Sequence, residues 1–291
     1  MTINTKIEYF EIESTFKKQD KLSICTFENT DTEISSNKKL LYFIPEIGVS
    51  YRSYEIYFKR LLKNNIFQKI VTFDHYGSGV SSGPRGLNVN GRNYLIDFKN
   101  IYQSEIGTKH NFEKVFVFGH GFGATLSLLL ESEGSFDFIS GIIIEDPFFR
   151  SGNKMNILNK MAKIFKSKKI NSYLKVPSFY GEKYFPKLED QLNFDYTCYN
   201  SKYFNVDFIE TYKILSANVI ERAYLTEKNI LHLYSIDEHE KNAGELINLY
   251  HKGVGEKKVH SYRLDKNGYF ENFHHPSPKY LEKLSEWTSE F

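Results

Sequence analysis

The chain has 291 residues, 41% of them apolar and 16% aromatic, with 25 Phe and 21 Tyr, enough apolar surface for one large core with an insertion. A formal net charge of +2 excludes the strongly basic field of a nucleic-acid binder and implies no acidic substrate. Cys25 and Cys198 lie far apart in the sequence and read as reduced thiols of a cytoplasmic protein. Met1 to Glu13 is polar and charged, without the apolar core of a secretory signal, and no run approaches the ~18 apolar residues of a spanning helix. The expectation is a soluble, cytoplasmic protein.

Short β-branched and aromatic runs alternate with segments of helical period. Leu22–Phe27 reads as a strand and Leu40–Ile44 as a buried one. Tyr54, Tyr57, Phe58, Leu61 and Leu62 then recur at helical spacing. Lys69–Phe73 is a strand, followed by a helix with Tyr94, Phe98, Ile101 and Tyr102 on one face. Val115–Phe118 is a strand, Ala124–Leu130 a helix, and Gly141–Ile144 another strand. From about Phe148 to Lys228 the sequence is helical or irregular, with no clear buried strand, and reads as an inserted lid. The alternation then returns as strand Ile230–Tyr234, helix Ala243–Tyr250 and strand Val259–Leu264. The last helix opens with Ser277 as cap and Pro278 at its first position, and buries Leu281, Leu284 and Trp287. This pattern predicts an α/β fold with a mostly parallel sheet covered on both faces. Residues 1–147 and 229–291 form its core and 148–228 its cap.

Strand, then Gly119-His120-Gly121-Phe122-Gly123, then helix is the setting of a nucleophile elbow, G-x-S-x-G, with Gly in the serine's place. Asp74-His75-Tyr76-Gly77-Ser78-Gly79, followed by Ser82-Gly83-Pro84-Arg85-Gly86, resembles a segment of the monoacylglycerol lipase/lysophospholipase family, which is related to the S33 serine aminopeptidases. Ile44-Pro45-Glu46-Ile47-Gly48 sits where that family has an H-G-x-G turn. Ile236-Asp237-Glu238 and Gly268-Tyr269-Phe270-Glu271, with Pro276 beyond, fall where it carries its catalytic acid and histidine. The resemblance implies an α/β-hydrolase fold with an eight-stranded, mostly parallel sheet, flanking helices and an inserted helical lid.

Carried over residue by residue, the resemblance puts Gly121 at the nucleophile and Phe270 at the histidine, so both of those groups are lost, and leaves Asp237 as the acid. It makes the Ile47 and Phe122 amides the oxyanion donors, and puts the Glu46 carboxylate beside them, where it opposes developing negative charge. A laboratory substitution at Gly121 would explain neither Phe270 nor Glu46. His120 and Asp146 are further pocket candidates, and His274 or His275 would serve as a relocated base if not exposed loop residues. Asp146 alternatively caps the turn into the lid. Asp237, Glu238, His239 and Glu240 are adjacent, but consecutive side chains diverge, and neither a metal nor a cofactor is expected. Cys198 carries no mark of activation. Lys160, Lys163, Lys166, Lys168 and Lys169 alternate with Met161, Ile164 and Phe165, a stripe suited either to covering the pocket or to peripheral membrane contact.

Three functions follow. The first is a non-hydrolytic pseudoenzyme binding an acyl or other lipophilic small molecule, with no nucleic-acid partner. The second is a non-hydrolytic enzyme, a cyclase, lyase or isomerase, on the same pocket. The third is an ester hydrolase or lysophospholipase inactivated by a Ser-to-Gly change at 121.

Overall fold

The continuous apolar runs become the centre of the sheet. The computed structural model describes residues 5–30, 38–84, 91–104, 112–134, 139–147, 175–177, 203–234, 248, 250–255, 258–264 and 271–291, with 91, 175–177, 203–213 and 271 as backbone only. Strands β3 (Lys39–Ile44), β5 (Lys114–His120) and β6 (Gly141–Glu145) are buried on both faces, as parallel strands between helical layers must be. With β1 (Thr5–Glu13), β2 (Lys21–Asn29), β4 (Lys69–Phe73), β9 (Asn229–Tyr234) and β10 (Val259–Arg263) they make an eight-stranded sheet in the order β1-β2-β4-β3-β5-β6-β9-β10. Strands β1 and β2 pair antiparallel, as do β2 and β4; the other neighbours are parallel.

Strand alternation sends side chains to two cores. Tyr42, Val71, Val117, Ile142, Ile144 and Ile230 meet helices α2 (Gly91–Tyr102), α3 (Phe122–Ser132) and α4 (Val206–Glu221) through Phe98, Leu126 and Val219. Leu41, Phe43, Phe116, Phe118, Ile143 and Leu231 meet helix α1 (Glu55–Lys63) and helix α6 (Pro278–Ser289), with the one-turn helix α5 (Glu271–His274) just before α6. The expected faces hold: Tyr57, Phe58, Leu61 and Leu62 of α1, and Tyr94, Phe98, Ile101 and Tyr102 of α2, are all buried. Ser277 caps α6, its hydroxyl accepting from the Tyr280 amide at 3.2 Å, and Leu281, Leu284 and Trp287 are buried behind it.

Two details differ from the sequence reading. The eighth strand is β1, a charged edge strand whose Ile7 packs against one core and whose Phe10 and Ile12 pack against the other. Its half-exposed pattern hid it among polar residues. The stretch read as having no clear buried strand contains a small antiparallel pair, β7 (Lys175–Pro177) with β8 (Tyr203–Asn205). The helix expected over Ala243–Tyr250 lies mostly outside the described residues; residues 248 and 250–254 are helical. Among the described residues no helix is long and apolar enough to cross a membrane.

Candidate active site

β5 ends at His120, α3 begins at Phe122, and Gly121 forms the whole turn between them, at φ 55° and ψ −114°. An L side chain is strained in that region, whereas glycine enters it without penalty. The turn is pinned to the neighbouring strand, the Gly121 N–H donating to the Glu145 carbonyl at 2.9 Å. A Cβ on Gly123 would overlap the Ile44 and Pro45 carbonyls, so the second outer glycine lets α3 close onto the end of β3. This is the elbow expected from the sequence, complete in its backbone.

Facing it is the turn after β3. Glu46 is fully buried and its side chain folds back over its own backbone. The Ile47 N–H donates to Oε1 at 2.8 Å and the Phe122 N–H to Oε2 at 2.9 Å. These are the two amides that the resemblance assigns to oxyanion binding, and one carboxylate takes both. The sequence reading left them as available donors with Glu46 beside them; the structure corrects this, because the carboxylate lies across the pair. Phe122 opens α3, so the carboxylate also occupies the positive end of that helix, where an anion is favoured by roughly 0.3–1 kcal/mol, more when buried.

The glutamate turn is held by the turn after β4. The His75 Nε2–H donates to the Pro45 carbonyl at 2.7 Å. The Gly48 N–H donates to Ser78 Oγ at 3.1 Å, and the Tyr51 N–H to Asp74 Oδ1 at 2.9 Å. Asp74 Oδ2 accepts in turn from the Val80 N–H at 2.8 Å. Burial pushes the Asp74 carboxyl up, and these amides oppose that. Burial holds His75 down at about 4, so it is neutral, and its Nδ1 has no hydrogen-bond partner among the described residues. Sequence reasoning quoted Asp74, His75 and Ser78 only as carriers of a resemblance; here they are the braces of the oxyanion turn.

Residues 35–205, more than half of the chain, match the family described as serine aminopeptidase, S33. The chain belongs to the S33 serine aminopeptidase family. Its fold is that of a monoacylglycerol lipase from Paleococcus ferrophilus (17% identity over 86% of this chain and 94% of that one, TM-score 0.67). It is also similar to a soluble variant of the Saccharomyces cerevisiae monoglyceride lipase in complex with a substrate analog (13% identity, 100% and 96% covered, TM-score 0.75). A third likeness is to the S. cerevisiae peroxisomal α/β-hydrolase Lpx1 (14% identity, 99% and 89% covered, TM-score 0.66). No curated protein matches the sequence.

In this S33 member a second polar cluster lies beneath the elbow. His120 was expected in the pocket, but it shares the face of Phe116 and Phe118, and the structure turns it toward α1 and α5. Its ring lies 4.5 Å from that of Phe273, and its Nδ1 is 2.8 Å from the Tyr54 hydroxyl. That hydroxyl also accepts from the Glu46 N–H at 3.1 Å, tying His120 to the turn after β3. Strand parity alone would have signalled this orientation.

Glu145, the register partner of His120, is buried beside it and accepts from Tyr280 Oη at 2.6 Å and Asn272 Nδ2 at 3.2 Å. Burial, with the charge of Asp146 next in effect, pushes its carboxyl up to about 8. In the sequence Glu145 carries no signal beyond standing directly after the apolar run Ile142–Ile144.

Asp146 begins the turn after β6 at φ 44°, its N–H donating to the Leu233 carbonyl at 3.1 Å. His274, expected on an exposed loop, is buried at the end of α5 and held down at about 4 by desolvation, because Phe273 next to it is anchored in the core under α1. Asp237, Glu238, His239, Glu240, Phe270, Cys198 and the lysine stripe Lys160–Lys169 lie outside the described residues. Among the described residues no group of three or more His, Cys, Asp or Glu side chains is arranged to hold a metal ion.

Proposed function

We propose that this S33-family chain is a non-hydrolytic member, a pseudoenzyme that uses the pocket of its fold to bind an acyl or other lipophilic small molecule. The observation that carries the reading is the Glu46 carboxylate bridging the Ile47 and Phe122 amides opposite a nucleophile turn made of glycine. Ester cleavage in this family's manner places an oxyanion on those two amides while a serine oxygen attacks. Here the amides are spoken for. A second negative oxygen brought within about 4 Å of the carboxylate would be opposed by roughly 4 kcal/mol at the effective dielectric of a protein site. Gly121 has no hydroxyl to attack, and Phe270, at the family's histidine position, has no group to take a proton.

The test is exposure of the purified protein to a fluorophosphonate probe and to short p-nitrophenyl esters. No labelling and turnover at background are expected. Stoichiometric labelling of any serine would overturn the proposal.

A further inference from the structure

We infer that the contact between His232 of β9 and His251 of the helical residues 250–254 is an acid-sensitive latch, which holds that helical segment to the sheet while both imidazoles are neutral and releases it when they take protons. The two rings lie 5.3 Å apart at 82°, edge to face. His232 is 2% exposed, and neither of its ring nitrogens has a hydrogen-bond partner. The Nε2 of half-buried His251 is also buried without one. A neutral imidazole is tolerated in such a seat as a flat ring, and the Tyr234 ring packs 5.4 Å from it. An imidazolium is not: it brings a charge and an N–H donor at each nitrogen, and a buried charge without an acceptor is costly.

Among the described residues nothing offsets that charge. The register partners of His232 are Ile144 on β6 and Ser261 on β10. Arg263, two positions along the same face of β10, and Lys252, beside His251, are exposed and carry the wrong sign. On the helical segment Tyr250 is paired with the Thr226 hydroxyl. The carboxylate that bears on Tyr250, Glu131 of α3, gives its Oε1 to the Glu227 and Lys228 amides. Burial, with the charge of His251 next in effect, holds His232 down at about 3 against 6.5 unfolded, and burial lowers His251 as well. With both values lower in the fold, the latch is fully closed above 6.5 and loosens as pH falls below it. Asp237, at the acid position of the resemblance, follows β9 in the sequence, so the device sits on the strand that leads to that position.

The experiment is hydrogen exchange of the full chain across mildly acid pH, corrected for the pH dependence of the exchange chemistry itself. It is read at the amides of residues 250–254 and, for comparison, at those of α1. Opening of the helical segment should grow about tenfold between about pH 6 and about pH 5, the gain that one proton taken up on opening supplies, while α1 changes less. His232→Phe keeps an aromatic ring without a proton site and should flatten the rise. His251→Gln, at a half-exposed position that accepts a polar side chain, should make it smaller than the parent's.

Three results would overturn the latch: no rise in the parent, the same rise in the parent and both variants, or an equal rise in α1. The last would report acid unfolding of the whole chain, driven by buried His75 and His274 as much as by this pair.

Discussion

Two turns at the carboxyl edge of the sheet, one after β3 and one after β4, have kept different things. The turn after β4 holds Asp74, His75 and Ser78, each spending its polar atoms on backbone groups of its neighbour: the Tyr51 amide, the Pro45 carbonyl and the Gly48 amide. The turn after β3 keeps the backbone path that aims the Ile47 amide toward the elbow, but Glu46 takes that amide and the Phe122 amide for itself. One turn braces its neighbour; in the other the Glu46 carboxylate takes both facing amides. On the proposed non-hydrolytic reading, the shape of the site and its reactive groups rest on different residues, and losing the second does not require losing the first.

Breaking the scaffold turn should cost the most. Asp74→Ala leaves the buried Tyr51 amide without its acceptor and removes the Val80 contact as well. A loss of roughly 3 kcal/mol in urea unfolding is expected. The self-occupied turn should cost less: Glu46→Ala orphans two buried amides, for about 2 kcal/mol, and Glu46→Gln, which keeps one acceptor oxygen, about half of that. Equal stability of the parent and Glu46→Ala would mean that the carboxylate does not seat on those amides.

At the elbow the expected effect is smaller again. Gly121→Ser puts a side chain at φ 55° and should lower stability by about 1 kcal/mol, read as a fall in Tm.

The two regions should also separate by pH. His75 in the scaffold turn is held at about 4 in the fold, against 6.5 unfolded. Between those values the unfolded chain binds more protons, so this histidine makes stability rise with pH. Glu145 beneath the elbow is raised from 4.5 to about 8. There the folded chain binds more protons, so its contribution is present at low pH and lost as pH rises through that window. Urea unfolding across pH should show wild type losing ground to Glu145→Gln as pH rises toward 8. A constant difference would place Glu145 at an ordinary carboxylate value.

The fold was legible because strands buried on both faces leave unbroken apolar runs, such as Leu40–Ile44 and Gly141–Ile144, and because α1, α2 and α6 bury their apolar stripes at helical spacing. Strand β1 escaped because an edge strand mixes charge with half-buried residues. Of the site, the sequence showed that Gly121 lacks a hydroxyl and that Glu46 stands next to a donor. It could not show that the Glu46 side chain doubles back onto the following amide, since that conformation depends on His75 and Ser78, some thirty positions away in another turn. The burial of Glu145 was likewise hidden, because its partners Asn272 and Tyr280 arrive from the far end of the chain.

The central claim is that Glu46, and not only the missing serine, closes this site to acyl chemistry. The most direct test compares fluorophosphonate labelling of Gly121→Ser/Phe270→His with that of the same protein carrying Glu46→Gly as well. With Glu46 in place labelling should stay near background. With glycine there the two amides are free again, and labelling should accelerate by about 10²-fold or more, the worth of a recovered oxyanion donor. Equal labelling of the two proteins would contradict the claim.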